Sequence, residues 1–448
     1  MIGRFVFSTG LIAGVAAAAL AGQAQPQAQP RPAAPMTALP AAAVLPNTQA
    51  LLDGWVRDGK MPGVVGAFGV GDFPTVFVQA GRIADEPTAP AADPDSLWRV
   101  YSMTKPVTAF AAMLLIEDGR LRLDQPISDF FPGFRNMRVL TSPDTSLDSR
   151  PATHPITVRN LLTHTAGLGY TIITRGPLLH EYERLGIVPA TVNNQVEAQA
   201  RATRPATLQA FAERVATLPL IAEPGTKWSY SIGLDVMGAV IERASGMSFD
   251  AFVQRRIFTP LNMRSSYWTV PGSAAQRLST NYIFAGANRV PLDPGATSVW
   301  LKPPSFPYGG AGLVMSARDY DTFLHMLQDG GTLNGVRVAR ATTVATMMSN
   351  LLPAGVTFGG IGGGTGGTQA PTPMGFGAGG SVYLADGPGG FPGKGTYGWG
   401  GAAGTIAFID PTKHFRATLM VNYMPAERWP TRAELAAALG RDAARFGR

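Results

Sequence analysis

The sequence predicts an α+β fold, an α/β sandwich whose antiparallel sheet is built from both ends of the chain, with a helical region between them. Two observations carry this. Runs rich in β-branched and aromatic residues stand near the start, "GVVGAFGVGD" and "PTVFVQAGRI", and again near the end, "KGTYGWGGAAGTIAFIDPTKHFRATLMVNYM". Between them, from about residue 124 to 256, the pattern is mostly helical, as in "PATLQAFAERVATLP" and "GLDVMGAVIERASGMSFDAFVQRRIF".

Taken in order, the chain opens with Arg4 followed by "FVFSTGLIAGVAAAALAGQA", an apolar stretch ending in small residues. That is the layout of a bacterial secretory signal peptide over residues 1–24, with cleavage after Ala21 or Ala24, and the expected destination is the periplasm. Residues 25–45 are rich in Pro, Ala and Gln and read as a disordered spacer. A single domain is expected over 46–448. "NTQALLDGWVRDGKMPG" reads as a helix ended by Gly and Pro, and two strands with a turn follow. "SMTKPVTAFAAMLLIEDGRL" is apolar nearly all round and reads as a buried helix from Ser102, with Pro106 tolerated in its first turn and Gly119 as its stop. "GGAGLVMSARDYDTFLHMLQDGG" adds a helix. The glycine density of residues 353–380 predicts a long mobile loop of the kind that serves as a lid. Asp410 to Lys413 read as a turn between strands, and "TRAELAAALGRDAARF" closes the chain as a helix.

Composition narrows the function. With 448 residues, 45% hydrophobic and 15% charged, the chain is globular. The net charge of +7 is scattered and forms no basic run with interleaved aromatics, so no nucleic-acid partner is expected. There is no cysteine, which removes disulfides and thiolate chemistry. No two of the five histidines have the spacing of a zinc-binding helix, so metal catalysis is poorly supported, and the serine chemistry read below needs neither a metal nor an organic cofactor. Beyond the signal peptide no segment is long and apolar enough to span a membrane.

Ser102 stands three residues before Lys105, the only one of the six lysines so placed. On a helix this spacing puts both side chains on one face. A serine hydroxyl needs a base, and a lysine serves only when neutral. Burial and the positive end of a helix dipole both disfavour the cation. The same helix end offers backbone N–H groups to a developing oxyanion. Alone, the tetrapeptide also reads as a helix cap followed by a charge. No serine stands in a G-x-S-x-G elbow.

The stretch "WRVYSMTKPVTAFAAMLLIEDGRLRLDQPISDFFP" resembles the nucleophile helix of serine hydrolases related to class C β-lactamases and penicillin-binding proteins. "ITVRNLLTHTAGL", "PGTKWSYSIGLDVMGAVIERASGMSFDAFVQRRIFTPLNM", "GGAGLVMSARDYDTFLHMLQDGG" and "YGWGGAAGTIAFIDP" are similar to later segments of that family, in the same order. The resemblance implies Ser102 as the acylated nucleophile, Lys105 as its base partner and Tyr230 as the tyrosine that bridges the site. By itself Tyr230 also reads as a core aromatic, and His164 as a satisfied buried histidine. Two departures stand out. The family's Tyr-x-Asn has Ile232 in third place, and its Lys/His-Thr/Ser-Gly triplet is Trp399-Gly400-Gly401. Both resemble the esterase branch, family VIII. The N–H groups of Ser102 and Ala402 are the implied oxyanion hole, with Trp399, Gly400, Gly401 and Ile232 around the substrate. A plain turn is the alternative for Gly400-Gly401.

The expected activity is therefore cleavage or transfer of short acyl esters, small molecules, through a Ser102 acyl-enzyme. A β-lactamase or D-alanyl-D-alanine carboxypeptidase is the alternative within enzymes. A non-catalytic member of the fold that binds peptidoglycan or peptides is the alternative outside them.

Overall fold

A computed structural model describes residues 41–360 and 372–446. The expected signal peptide and residues 25–40 of the expected spacer lie outside the described residues. The spacer's last residues differ from expectation: Ala41–Val44 form a helical turn that leads into α1, Pro46–Arg57. Proline at the head of α1 fixes a helical φ, and the helix buries Leu52 and Trp55.

The sheet is formed as the sequence predicts. Strands β1 (Gly63–Val70) and β2 (Val76–Gly81) come from the start of the chain. The strands β3 (Met374–Phe376), β4 (Ser381–Tyr383), β5 (Tyr397–Gly400), β6 (Ile406–Asp410) and β7 (Phe415–Met420) come from its end. Their order is β3-β4-β5-β6-β7-β1-β2, antiparallel throughout. The two ends meet where β1 pairs with β7, Gly66 opposite Leu419. β1 is apolar on both faces because both faces are covered: Val64 and Phe68 pack on one side, Val65 and Ala67 on the other.

On the first side lie α1 and the closing helix α5 (Thr431–Phe446), through Leu52, Trp55, Leu435 and Leu439. On the second lies the large core, centred on α2 (Thr104–Glu117). α2 is buried from Thr104 to Leu115 and ends at Gly119, which adopts φ 71° and donates its N–H to Ile116. Against it pack α3 (Gly233–Ser245) and α4 (Ala317–Gln328). The stretch from 124 to 256 holds short helices and also one small hairpin, Arg138–Leu140 with Ser149–Pro151.

The glycine-rich stretch departs from the expected mobile loop. Residues 361–371 lie outside the described residues, but β3 forms the edge of the sheet, and Phe376 is fully buried. The glycines there serve close approach as much as freedom. A Cβ on Gly377 would lie 2.5 Å from the Met347 carbonyl, and one on Gly379 would lie 2.7 Å from the carbonyl of Lys105. Gly379 also holds φ 75°.

Candidate active site

Ser102 does not sit inside α2, as its spacing predicts, but on a separate 3₁₀ turn, Tyr101–Met103, that runs straight into it. Tyr101 has φ 42°, an uncommon conformation for a residue with a side chain. Its ring is locked edge-on to Trp300 at 5.9 Å, and its hydroxyl accepts from Asn281 Nδ2 at 3.1 Å. The surrounding packing thus holds the strained residue that precedes Ser102.

Two groups converge on Ser102 Oγ. Lys105 Nζ donates to it at 3.2 Å and the Tyr230 hydroxyl at 2.7 Å. Ser102 keeps partial contact with solvent, whereas Lys105 and Tyr230 are buried. Lys105 Nζ also donates to the carbonyl of Gly310 at 2.8 Å and stands 4.6 Å from the centre of the Tyr230 ring. The segment carrying Gly310 is tied to α2 at two further points: Thr108 Oγ1 donates to Gly309 O at 2.6 Å, and Leu313 N–H donates to Thr104 Oγ1 at 3.0 Å.

Aromatic rings wall the site. Tyr230 lies 5.7 Å from Trp399, 5.5 Å from Tyr170 and 4.8 Å from His164, and Trp399 lies 5.2 Å from Phe376. Burial, with a smaller push from the Lys105 charge, holds His164 well below the usual histidine range, so the ring is neutral. His164 Nδ1 accepts from the Ser231 N–H at 3.2 Å, which leaves the proton on Nε2. Nε2 finds no partner among the described residues, so the expected satisfied histidine is only half satisfied.

Trp399 and Gly400 end β5, and Gly401 begins the turn after it: Gly401 N–H donates to Thr405 O at 2.8 Å. A side chain on Gly401 would collide with the Val100 carbonyl, two residues before Ser102. Glycine here lets the strand end lie directly against the 3₁₀ turn. Ala402 is exposed between two buried neighbours, and no backbone carbonyl takes up its N–H or that of Ser102 among the described residues. Ile232 corrects an expectation. It is completely buried and immediately precedes α3, so its apolar side chain joins the core and gives no surface to a substrate.

The chemistry available is that of a serine with a buried amine and a phenol at hydrogen-bonding distance, next to two unclaimed backbone donors. The model of the Beta-lactamase family matches residues 36–441. The chain belongs to the β-lactamase family. This β-lactamase-family protein has the β-lactamase/transpeptidase-like fold and is a serine hydrolase. It is similar to esterase EstB of Burkholderia gladioli, 31% identical over 63% of this chain and 69% of that one. It is equally 31% identical to lovastatin esterase of Penicillium rubens, over 70% of this chain and 77% of that one. Among solved structures, EstCE1, "a hydrolase with promiscuous acyltransferase activity", aligns over 89% of this chain and 98% of its own with a TM-score of 0.70. At 24% identity that likeness speaks to the fold alone.

Three residues of this β-lactamase-family site go beyond the sequence expectations. Asp235 and Gly310 hydrogen-bond to each other beside Lys105. Arg432, in the first turn of α5, lays its guanidinium where a Cβ on Gly400 would stand. The Trp399-Gly400-Gly401 strand carries no cation of its own, and this one reaches it from a helix. Among the described residues, Asp72, His325 and Asp329 could gather a cation, but the group shares no residue with the Ser102 site.

Proposed function

We propose that this protein hydrolyses or transfers acyl esters through an acyl-enzyme on Ser102, with Lys105 and Tyr230 as its proton-handling partners. The observation that carries this is the convergence of Lys105 Nζ and the Tyr230 hydroxyl on one serine oxygen. In the first step Ser102 Oγ attacks the ester carbonyl while its proton passes to the Tyr230–Lys105 pair. The carbonyl oxygen becomes an oxyanion facing the N–H groups of Ser102 and Ala402. Tyr230 returns a proton to the departing alkoxide, which leaves as an alcohol. Water, or a second alcohol, then repeats the attack on the acyl-enzyme and frees Ser102. Trp399 forms an apolar wall, and Gly400 and Gly401 let the strand end lie close against Arg432 and the turn that carries Ser102. The named esterases among its relatives support an ester as substrate.

Arg432 favours a second reading, as a β-lactamase, because a guanidinium beside Gly400 could receive the carboxylate of a β-lactam. One experiment separates the two. Purified protein is assayed on p-nitrophenyl butyrate and on a chromogenic cephalosporin, with peptide mapping after a fluorophosphonate probe. The ester reading expects the higher kcat/KM on the ester and the adduct on Ser102. An adduct on another serine would remove Ser102 from the mechanism, and faster turnover of the cephalosporin would restore the β-lactamase reading.

We further propose export to the periplasm, with the mature chain starting near Gly22 or Gln25. An intact Met1 on sequencing the periplasmic material would contradict it.

A further inference from the structure

We propose that Asp235 is a positioning residue: by holding the N–H of Gly310 it sets the carbonyl of that same residue against Lys105 Nζ, and so fixes the lysine beside Ser102. This rests on the reading that Lys105 serves Ser102. The connection runs through two short hydrogen bonds. Asp235 Oδ1 accepts from Gly310 N–H at 2.8 Å, and Gly310 O accepts from Lys105 Nζ at 2.8 Å.

Three further observations support a functional role over a packing role. A carboxylate is a costly thing to bury without a cation in contact. Asp235 is completely buried, forms no ion pair, and its Oδ2 has no hydrogen-bond partner among the described residues. Packing alone would be better met at this position by an apolar residue. Next, Gly310 has no room for a side chain, since a Cβ would lie 2.5 Å from Asp235 Oδ2. The carboxylate and this glycine fit only each other. Finally, the Gly310 segment is clamped to α2 by Thr104 and Thr108. Asp235 supplies the matching hold from α3, so the carbonyl that receives Lys105 is fixed from both sides.

The charged and titratable groups facing Asp235 are Lys105 from α2, Tyr170 from the segment after Val158–Leu162, and Tyr308 from the Gly310 segment itself. Burial pushes the Asp235 carboxyl up to about 7, against the pull of Lys105 and of the Gly310 N–H. Either protonation state keeps an oxygen that can accept from Gly310, so Asn is its natural mimic.

The test compares Asp235→Asn, which keeps the acceptor, with Asp235→Leu and Asp235→Ala, which lack it. Each is assayed for kcat and KM on p-nitrophenyl butyrate, for fluorophosphonate labelling of Ser102 and for melting temperature. Asp235→Asn is expected to keep kcat within about threefold, because its carbonyl oxygen reaches the same N–H. Asp235→Leu is expected to lose about 10- to 100-fold in kcat with KM little changed, since displacement of a reacting group by about 1 Å costs that order. The labelling rate should fall in parallel. A folded Leu or Ala variant with wild-type kcat overturns the proposal. So does an Asn variant as slow as the Leu one, or a failure of both Leu and Ala variants to fold while Asn is normal, which would make the residue structural. Wild-type protein that takes no label on Ser102 would instead bring down the Ser102 reading beneath it.

Discussion

Lys105 and Tyr230 each bring one polar atom to Ser102 Oγ, and each can be removed alone. Tyr230→Phe deletes the 2.7 Å contact and leaves the ring wall intact. Turnover on p-nitrophenyl butyrate should drop by about 10²–10⁴-fold, the usual contribution of a positioned proton carrier. Lys105→Ala should cost at least as much, with far-ultraviolet circular dichroism unchanged. Asp235 yields a separate, pH-dependent expectation. Its carboxyl, raised by burial to about 7 from the 3.8 of a free aspartate, binds a proton in the folded protein where the unfolded chain has lost it. A raised carboxyl therefore weakens the fold as pH climbs through the interval between those two values, by about 4 kcal/mol in all if the whole difference is expressed. Asp235→Asn cannot titrate, so urea unfolding at acid and alkaline pH should show wild type losing stability relative to it on going alkaline. Parallel stability curves would mean that Asp235 keeps an ordinary pKa. At this scale the sequence was informative where chemistry is local. The Ser102–Lys105 spacing marks its own face, and the segment around Tyr230 resembles that of a family. Asp235 and Gly310 stand 75 residues apart and Lys105 and Gly310 stand 205 apart, so no local pattern could join them. One signal was present: Asp235 is a lone acid in the apolar opening of "GLDVMGAV".

At the scale of elements, α2 and the end of the glycine-rich stretch support one another. Gly379 packs on Ala109 and on the Lys105 carbonyl with φ 75°. Gly379→Ala should destabilise the protein by more than about 1 kcal/mol, since it adds both a forbidden conformation and a collision. Because the collision is with the backbone of Lys105, kcat should fall as well. A melting temperature within error of wild type would show that this segment stands off from α2. The strands and main helices were legible because their apolar periods are strong. The ordered edge strand β3 was hidden by composition. Density of glycine reads as looseness when what it serves, at Gly377 and Gly379, is contact with a distant backbone. The 3₁₀ turn at Ser102 was hidden for a related reason, since Tyr101 is held in its strained conformation by Trp300 and Asn281, far along the chain.

For the whole molecule, substrate choice turns on Arg432. A cation in the first turn of a helix opposes the helix dipole, and the charge of Glu427 only partly offsets the cost of burying it. Arg432→Ala should therefore leave hydrolysis of the neutral p-nitrophenyl butyrate within a few-fold, while slowing an ester that carries a carboxylate. A contact of that kind is worth about 1.5–3 kcal/mol, or about 10- to 100-fold in kcat/KM. Equal effects on the neutral and the anionic ester would show that Arg432 does not meet the substrate. The pairing of β1 with β7 has a consequence of another kind. The nascent chain emits β1 early, yet its partner strand is made only about 350 residues later, which at 5–20 residues per second is roughly 20–70 s of synthesis. Until then the strands of the two chain ends cannot join, and the N-terminal hairpin waits with an open apolar edge. Completion of the sheet thus waits until nearly the whole chain has been made. A chain stopped before Phe415 should never reach the native state, however complete its Ser102, Lys105 and Tyr230, and should go to chaperones and proteases instead.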